Sequence, residues 1–313
     1  MSSGDPIEIV NLRKEYKGFV AVDDLTFSVK KNSFTGFLGP NGAGKSTTLK
    51  ILTHLINATS GEAYINGIDV TKDPKKALAG VGTVVETPEF YLYLSPNETF
   101  RYVGQIIGMN AEAIASETNR ILDMVKMTEW ADKRLGTFSK GMRQRIALGL
   151  SLMNHPSVIV LDEPTSGLDP RGMAEMREIL KNIRLQSNDL TVIMSSHMLY
   201  EVSDLCDRVA LINHGRMILQ DELSHLGKID SRRKMIVRIN GIPTPEIIAK
   251  VGNLNNVISA ERFGNDIDVT IDGDNSICVG FFNDLSTLNI GAYGVNEEDA
   301  LEATYLRLIK ESR

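Results

Sequence analysis

One stretch carries the most specific chemistry in the chain: Gly39-Pro40-Asn41-Gly42-Ala43-Gly44-Lys45-Ser46-Thr47. Two glycines separated by four residues and followed by Lys and Ser form a phosphate-cradling pattern. Glycines let successive backbone N–H groups converge on a phosphate, and the helix expected to begin near Lys45 adds its positive end. Lys45 would reach the β and γ phosphates as a point charge, and the Ser46 hydroxyl would hold Mg²⁺. A second constellation lies far downstream, where the apolar run Val158-Ile159-Val160-Leu161 ends in Asp162-Glu163-Pro164. Asp162 is placed to hold Mg²⁺ directly or through water, and Glu163 to take a proton from an attacking water. A pair of acidic turn residues is the plain alternative for Asp-Glu-Pro taken alone. His197, after the run Thr191-Val192-Ile193-Met194, could contact a γ-phosphate or that water, although a solitary histidine usually does neither. Tyr16 either stacks on a base or packs in the core.

The elements that must position these residues are readable from the same chain. Ser33–Leu38 is a short β-prone run ahead of the glycine loop, and Thr47–Leu52 has helical spacing after it, so the order is strand, loop, helix. Ile7–Val10 and Leu25–Val29 read as strands with Tyr16 between them, Gly61–Gly67 as a hairpin, and Val81–Val85 as a compact strand. Glu86–Pro96 is a loop rich in aromatics, packed inward or exposed to a partner. Residues 97–154 read as a largely helical insertion, with Phe100, Val103, Ile106 and Ile107 on one apolar face and Ile114, Ile121, Leu122 and Val125 on the next. A strand apolar on both faces, such as Val158–Leu161, belongs inside a parallel sheet, whose carboxyl edge is where open α/β sheets bind ligands. Val209–Leu219 reads as a hairpin around Asn213-His214-Gly215.

Composition narrows the classes. The 313 residues suffice for a large domain and a smaller one, and 42% apolar with 24% charged residues is ordinary for a globular protein. A net charge of −6 gives no reason to expect a nucleic-acid partner. Without a long apolar run or a basic-then-apolar leader, a cytosolic protein is expected. Cys206 and Cys278 lack metal-type spacing and read as reduced packing residues, and five scattered histidines form no ligand cluster.

Residues 7–222 resemble the nucleotide-binding subunit of ATP-binding-cassette (ABC) transporters. The glycine loop matches the family's Walker A, Val158–Glu163 its Walker B and catalytic glutamate, Ser166-Gly167-Leu168-Asp169 its D-loop and His197 its switch histidine. Phe138-Ser139-Lys140-Gly141-Met142-Arg143-Gln144-Arg145 resembles the family signature, usually Leu-Ser-Gly-Gly-Gln, which other P-loop enzymes lack. The resemblance implies an α/β P-loop NTPase cassette spanning 1–225, with a RecA-like core, an antiparallel β subdomain and the helical insertion. It further implies ATP and Mg²⁺ as cofactors and an adenine-stacking role for Tyr16. It also implies a head-to-tail dimer in which Ser139, Lys140 and Gly141 face the Walker A of a second copy, and a separate membrane-spanning permease that holds the chain at the cytoplasmic face.

Two departures stand out. Glu86 replaces the family's usual glutamine, where it could still coordinate the metal; Lys140 and Met142 replace Gly and Gln in the signature, with Lys140 near phosphate or facing solvent. Similar signatures occur in the exporter branch, of ABC-2 type, whose ATPase and permease are separate chains. An importer subunit or a soluble cassette acting on ribosomes, iron–sulfur assembly or DNA is the rival, the last disfavoured by a single P-loop and no heptad run. Residues 226–313 show β-α-β-β-α-β order plus a helix, the pattern of a small α+β, ferredoxin-like accessory domain.

Overall fold

The computed structural model describes residues 4–187, 189–226, 232–273, 275–297 and 300–312. The chain divides into two units, one ending at Glu222 and the other beginning at Leu223.

The first unit opens with β1 (Ile7–Tyr16) and β2 (Phe19–Val29), an antiparallel pair much longer than the alternation alone suggests. Asn11 and Asp24 adopt φ of 46° and 53°, and the register shifts between Ile9 and Leu12. Bulges of this kind break the period-2 pattern without ending the strand. Tyr16 therefore ends β1, opposite Phe19, instead of lying between separate strands. Next come β3 (Phe34–Leu38), α1 (Lys45–Leu52), the hairpin β4 (Ser60–Ile65) and β5 (Ile68–Asp69), α2 (Pro74–Ala77) and β6 (Val81–Val84). Three helices follow, α3 (Pro96–Ile106), α4 (Ala111–Met124) and α5 (Lys140–Ser151). Ser95 and Glu98 form a reciprocal capping box at the start of α3, and Asn110 caps α4. The buried side of α3 runs through Phe100 and Gly104, while Ile106 and Ile107 are exposed, contrary to the face drawn from periodicity. Gly104 sits where a Cβ would meet Ile114 at 2.6 Å, so close contact with α4 selects that side. The unit closes with β7 (Val158–Asp162), α6 (Pro170–Gln186), β8 (Thr191–Ser196), α7 (Leu199–Leu205) and the hairpin β9 (Arg208–Asn213) and β10 (Arg216–Glu222).

Two sheets organise these elements. One has the order β2-β1-β4-β5 and is antiparallel. The other has the order β10-β9-β3-β8-β7-β6 and is parallel except for its β9–β10 edge. All five residues of β3 and all six of β8 are buried, as expected for strands covered on both faces. The registers Leu38↔Ser196 and Asp162↔Ser195 bring the carboxyl ends of β3, β7 and β8 level. The loops that leave those ends are the ones carrying the candidate chemistry.

The second unit holds α8 (Leu223–Leu226), β11 (Arg232–Ile239), α9 (Pro245–Gly252), β12 (Val257–Phe263), β13 (Asp266–Asp272), α10 (Asn275–Thr287), β14 (Ala292–Glu297) and α11 (Ala300–Glu311). Its sheet order is β12-β13-β11-β14, antiparallel throughout, and Val237, Val269 and Phe281 lie in its core. Cys206 and Cys278 are free and buried; burial pushes the Cys206 thiol up, which keeps it protonated.

Candidate phosphate-binding and hydrolytic site

The loop between β3 and α1 has the backbone its glycines imply. Gly42 and Gly44 adopt φ of 80° and 102°, in the left-handed region, and a Cβ on Gly44 would lie 2.5 Å from the Ala21 carbonyl. The turn is pinned by Ala43 N–H donating to Pro40 O (3.2 Å) and by Gly215 N–H donating to Ala43 O (2.9 Å). Lys45 is nearly fully buried, and its Nζ donates to the carbonyls of Gly39 (2.8 Å) and Pro40 (3.2 Å), 3.7 Å from Glu163 Oε1. Burial holds its pKa below the usual lysine value, opposed by the negative charges of Glu163 and Asp162. Neutral carbonyls are weak partners for an ammonium, and phosphate oxygens would be stronger ones.

Across the sheet edge, Asp162 is gripped by two hydroxyls: Ser46 Oγ donates to its Oδ1 at 3.1 Å and Ser195 Oγ at 2.5 Å. Ser195 Oγ also accepts from the Glu163 backbone N–H (2.9 Å). Glu163 itself has φ 43°, and its Oε1 lies 3.2 Å from His197 Nδ1. Ser46 and Asp162 offer the hard oxygen atoms that suit Mg²⁺, which usually takes one or two protein ligands and completes its shell with phosphate and water. Among the described residues no group of three His, Cys, Asp or Glu side chains gathers as a metal cluster, in keeping with so sparse a donor set. Lys45, Ser46, Asp162, Glu163 and His197 are thus joined by direct contacts.

Other residues named from the sequence stand apart from that cluster. The Glu86 carboxylate is ion-paired with Lys50 Nζ of α1, its side chain 59% exposed, and no described contact joins it to Ser46 or Asp162. Here a lysine of the helix after the glycine loop, not the Ser46–Asp162 pair, is the partner of that carboxylate. Ser139 caps α5, its Oγ accepting from Met142 N–H (3.2 Å). The Lys140 ammonium donates to the Ser166 carbonyl at 3.0 Å. Gly141 lies in the first turn of α5. Tyr16 is 43% exposed, with Lys14 Nζ 4.9 Å from its ring centre, which sets aside the core alternative. Tyr91 and Tyr93 are exposed in the aromatic loop, so that loop does not pack inward. Sequence reasoning missed Ser195 and Glu201, the second a buried carboxylate on α7; Ser195 was foreshadowed only by the adjacent hydroxyls of Ser195-Ser196-His197.

A parallel sheet with a glycine loop, a buried lysine and an Asp-Glu strand end defines a P-loop nucleoside-triphosphatase. The ABC transporter family description matches residues 22–166. An ABC transporter ATP-binding protein, YhcH of Bacillus subtilis, is 37% identical over 213 residues, 68% of each chain. The bacitracin transport ATP-binding protein BcrA of Bacillus licheniformis is 37% identical over 222 residues, 71% of each chain. The lantibiotic transport ATP-binding protein SrtF of Streptococcus pyogenes is 35% identical over 216 residues, 69% of this chain and 90% of that one. Among solved structures, cbiO1 of Clostridium perfringens, part of the ABC transporter complex cbiONQ, superposes with a TM-score of 0.64 at 25% identity, covering 72% of this chain and 92% of its own. The chain belongs to the ATP-binding proteins of ABC transporters, and it is an ATPase.

Proposed function

We propose that the chain powers an exporter, dimerising with a second copy around two ATP molecules and driving a separate membrane-spanning permease from the cytoplasmic face. One observation carries the hydrolytic part of this reading: Lys45, Ser46, Asp162, Glu163 and His197 meet at the level carboxyl ends of β3, β7 and β8. In the proposed roles, backbone N–H groups of Gly39–Thr47 cradle the phosphates and Lys45 exchanges its loop carbonyls for phosphate oxygens. Ser46 and Asp162 hold Mg²⁺, which when bound neutralises charge on the β and γ phosphates. Glu163 accepts the proton of the attacking water, and His197, in contact with Glu163, orients the γ-phosphate. Tyr16 stacks on adenine, for which its exposed ring is suited. Ser139 and Gly141 at the start of α5 serve the nucleotide held by the other copy, through a helix N-terminus.

The export direction is supported by relatives whose names specify bacitracin, lantibiotic and linearmycin, the last a resistance protein. No helix among the described residues is long and apolar enough to cross a membrane. The aromatic loop, through Phe90 and the exposed Tyr91, is the proposed contact with the permease. The second unit is read as a ferredoxin-like accessory domain, for which its antiparallel order β12-β13-β11-β14 is the support.

The test is Glu163→Gln. ATP binding should persist, steady-state hydrolysis should disappear, and an ATP-bound dimer should accumulate in size-exclusion chromatography. Near-normal turnover in that variant would refute the assignment of Glu163 as general base.

A further inference from the structure

Glu201 is the most deeply buried carboxylate among the described residues, 2% exposed, and the roles above make no use of it. It lies on α7, the short helix after β8. Among the described residues no lysine, arginine or histidine is paired with it. Its two oxygens instead accept from two hydroxyls: Oε1 from Thr165 Oγ1, a very short contact, and Oε2 from Ser196 Oγ at 2.7 Å. Thr165 and Ser196 are themselves buried. Thr165 lies two residues after Glu163, and Ser196 immediately precedes His197. One carboxylate thus ties the loop that follows β7 to the loop that follows β8.

A buried charge without a countercharge is costly, and satisfied hydrogen bonds are what make it tolerable. A carboxylate is also acceptor-only, so both hydroxyls must be donors. Ser196 Oγ additionally accepts from Met198 N–H (2.9 Å), and of the two acceptors its hydrogen can face, Glu201 Oε2 at 2.7 Å is nearer than the Met198 carbonyl at 3.3 Å. The result is a strut that runs from both hydroxyls to one carboxylate. On the other side of the same two loops, Glu163 holds a left-handed backbone and its carboxylate meets His197 at 3.2 Å.

We propose that Glu201 is a positioning residue that couples the Glu163 and His197 loops, setting the distance between the two groups through Thr165 and Ser196. It touches neither substrate nor metal. The inference rests on the catalytic roles proposed for Glu163 and His197, but the coupling itself can be read without them. A strut of this kind acts on turnover and leaves nucleotide binding to the glycine loop, because the side-chain hydrogen bonds described for Thr165 and Ser196 go to Glu201 and Met198.

The test uses the full chain with Mg-ATP and four variants: Glu201→Ala, Glu201→Gln, Thr165→Val and Ser196→Ala. Glu201→Ala should lower kcat by about 10- to 100-fold, as misplacement of reacting groups does, while KM for ATP stays within about twofold. Glu201→Gln keeps the shape and one acceptor oxygen but turns an NH2 donor toward the other hydroxyl, so it should recover only part of the lost kcat. Thr165→Val and Ser196→Ala should each lower kcat alone but add nothing to Glu201→Ala, since the partner is already gone. Additive losses, or an unchanged kcat in Glu201→Ala, would overturn the proposal. If Glu201→Ala does not fold, the two hydroxyl variants decide alone, and normal kcat in both overturns it. Amide exchange separates this outcome from failure of the catalytic reading. Faster exchange in both 165–168 and 196–198 on Glu201→Ala or Ser196→Ala supports coupling even if Glu163→Gln retains turnover, and unchanged exchange in one loop overturns it.

Discussion

Replacement of Ser195 by alanine removes one hydroxyl at the point where the two central strands of the site meet. Ser195 is fully buried and in register with Asp162, its Oγ giving a hydrogen bond to Asp162 Oδ1 and taking one from Glu163 N–H. Alanine leaves the amide without its partner and the carboxylate with one hydroxyl fewer. Asp162 keeps Ser46 at 3.1 Å and is itself only part-buried, so its share of the loss is the smaller. A buried polar group left unpaired costs about 1–3 kcal/mol, and partial access to water places this case at about 1–2 kcal/mol. For a unit of this size that lowers the unfolding midpoint by about 2–8 °C. The effect on activity should be larger than the effect on stability. Glu163 is held at φ 43°, a conformation that a residue other than glycine keeps only under restraint, and the Ser195 bond is one of its restraints. With that bond gone the backbone can relax toward ordinary helical or extended values, and kcat should fall by about tenfold or more. Circular dichroism on heating in the absence of nucleotide reads the first quantity, and steady-state hydrolysis at saturating Mg-ATP the second. A midpoint within about 1 °C of the parent together with a kcat within about twofold would refute the claim that this hydroxyl organises the strand ends.

Two further outcomes can be checked directly. Lys140→Met keeps the aliphatic stem and removes the charge that donates to the Ser166 carbonyl; amide exchange over 166–168 should quicken by about two- to fivefold, the worth of one exposed charged contact, and unchanged exchange would show that the contact does not restrain the D-loop. In the helical insertion, the Arg120 guanidinium, with His155 assisting, holds the Glu117 carboxyl below its ordinary value of 4.5. That contribution is complete above pH 4.5 and is lost as pH falls through the lowered value, so the gap in urea midpoint between the parent and Glu117→Gln should narrow on acidification; a gap that widens would reverse the assigned sign.

Much of the site was legible because its strongest signals are contiguous. Residues 39–47 and 158–163 each place strand, turn and functional group within a few positions, and local geometry follows from local spacing. The roles of Ser195 and Glu201 depend instead on the pairing of β7 with β8 and on where α7 packs, which no short stretch encodes. The same holds for the present partners of Glu86 and Lys140, which are distant in sequence, Lys50 for one and Ser166 for the other. Of the fold, strands with unbroken burial such as β3 and β8 declared themselves, whereas the bulges at Asn11 and Asp24 hid the length of β1 and β2.

The consecutive carboxylates at the end of β7 show how environment separates two groups of the same chemistry. Asp162 continues the strand, and its Oδ1 receives two hydroxyls, a setting that fixes its position. Such an oxygen is suited to hold a cation and poorly suited to swing toward a substrate. Glu163 leaves the strand through a left-handed turn, and among the described residues its carboxylate meets His197 and the more distant Lys45. Lys45 acts electrostatically on both carboxylates, and its present hydrogen bonds go to the carbonyls of Gly39 and Pro40. On the proposed reading, phosphate oxygens would take over the Lys45 ammonium and leave Glu163 with His197 as its described partner, so the gripped carboxylate would hold the cation and the ungripped one would reach the water.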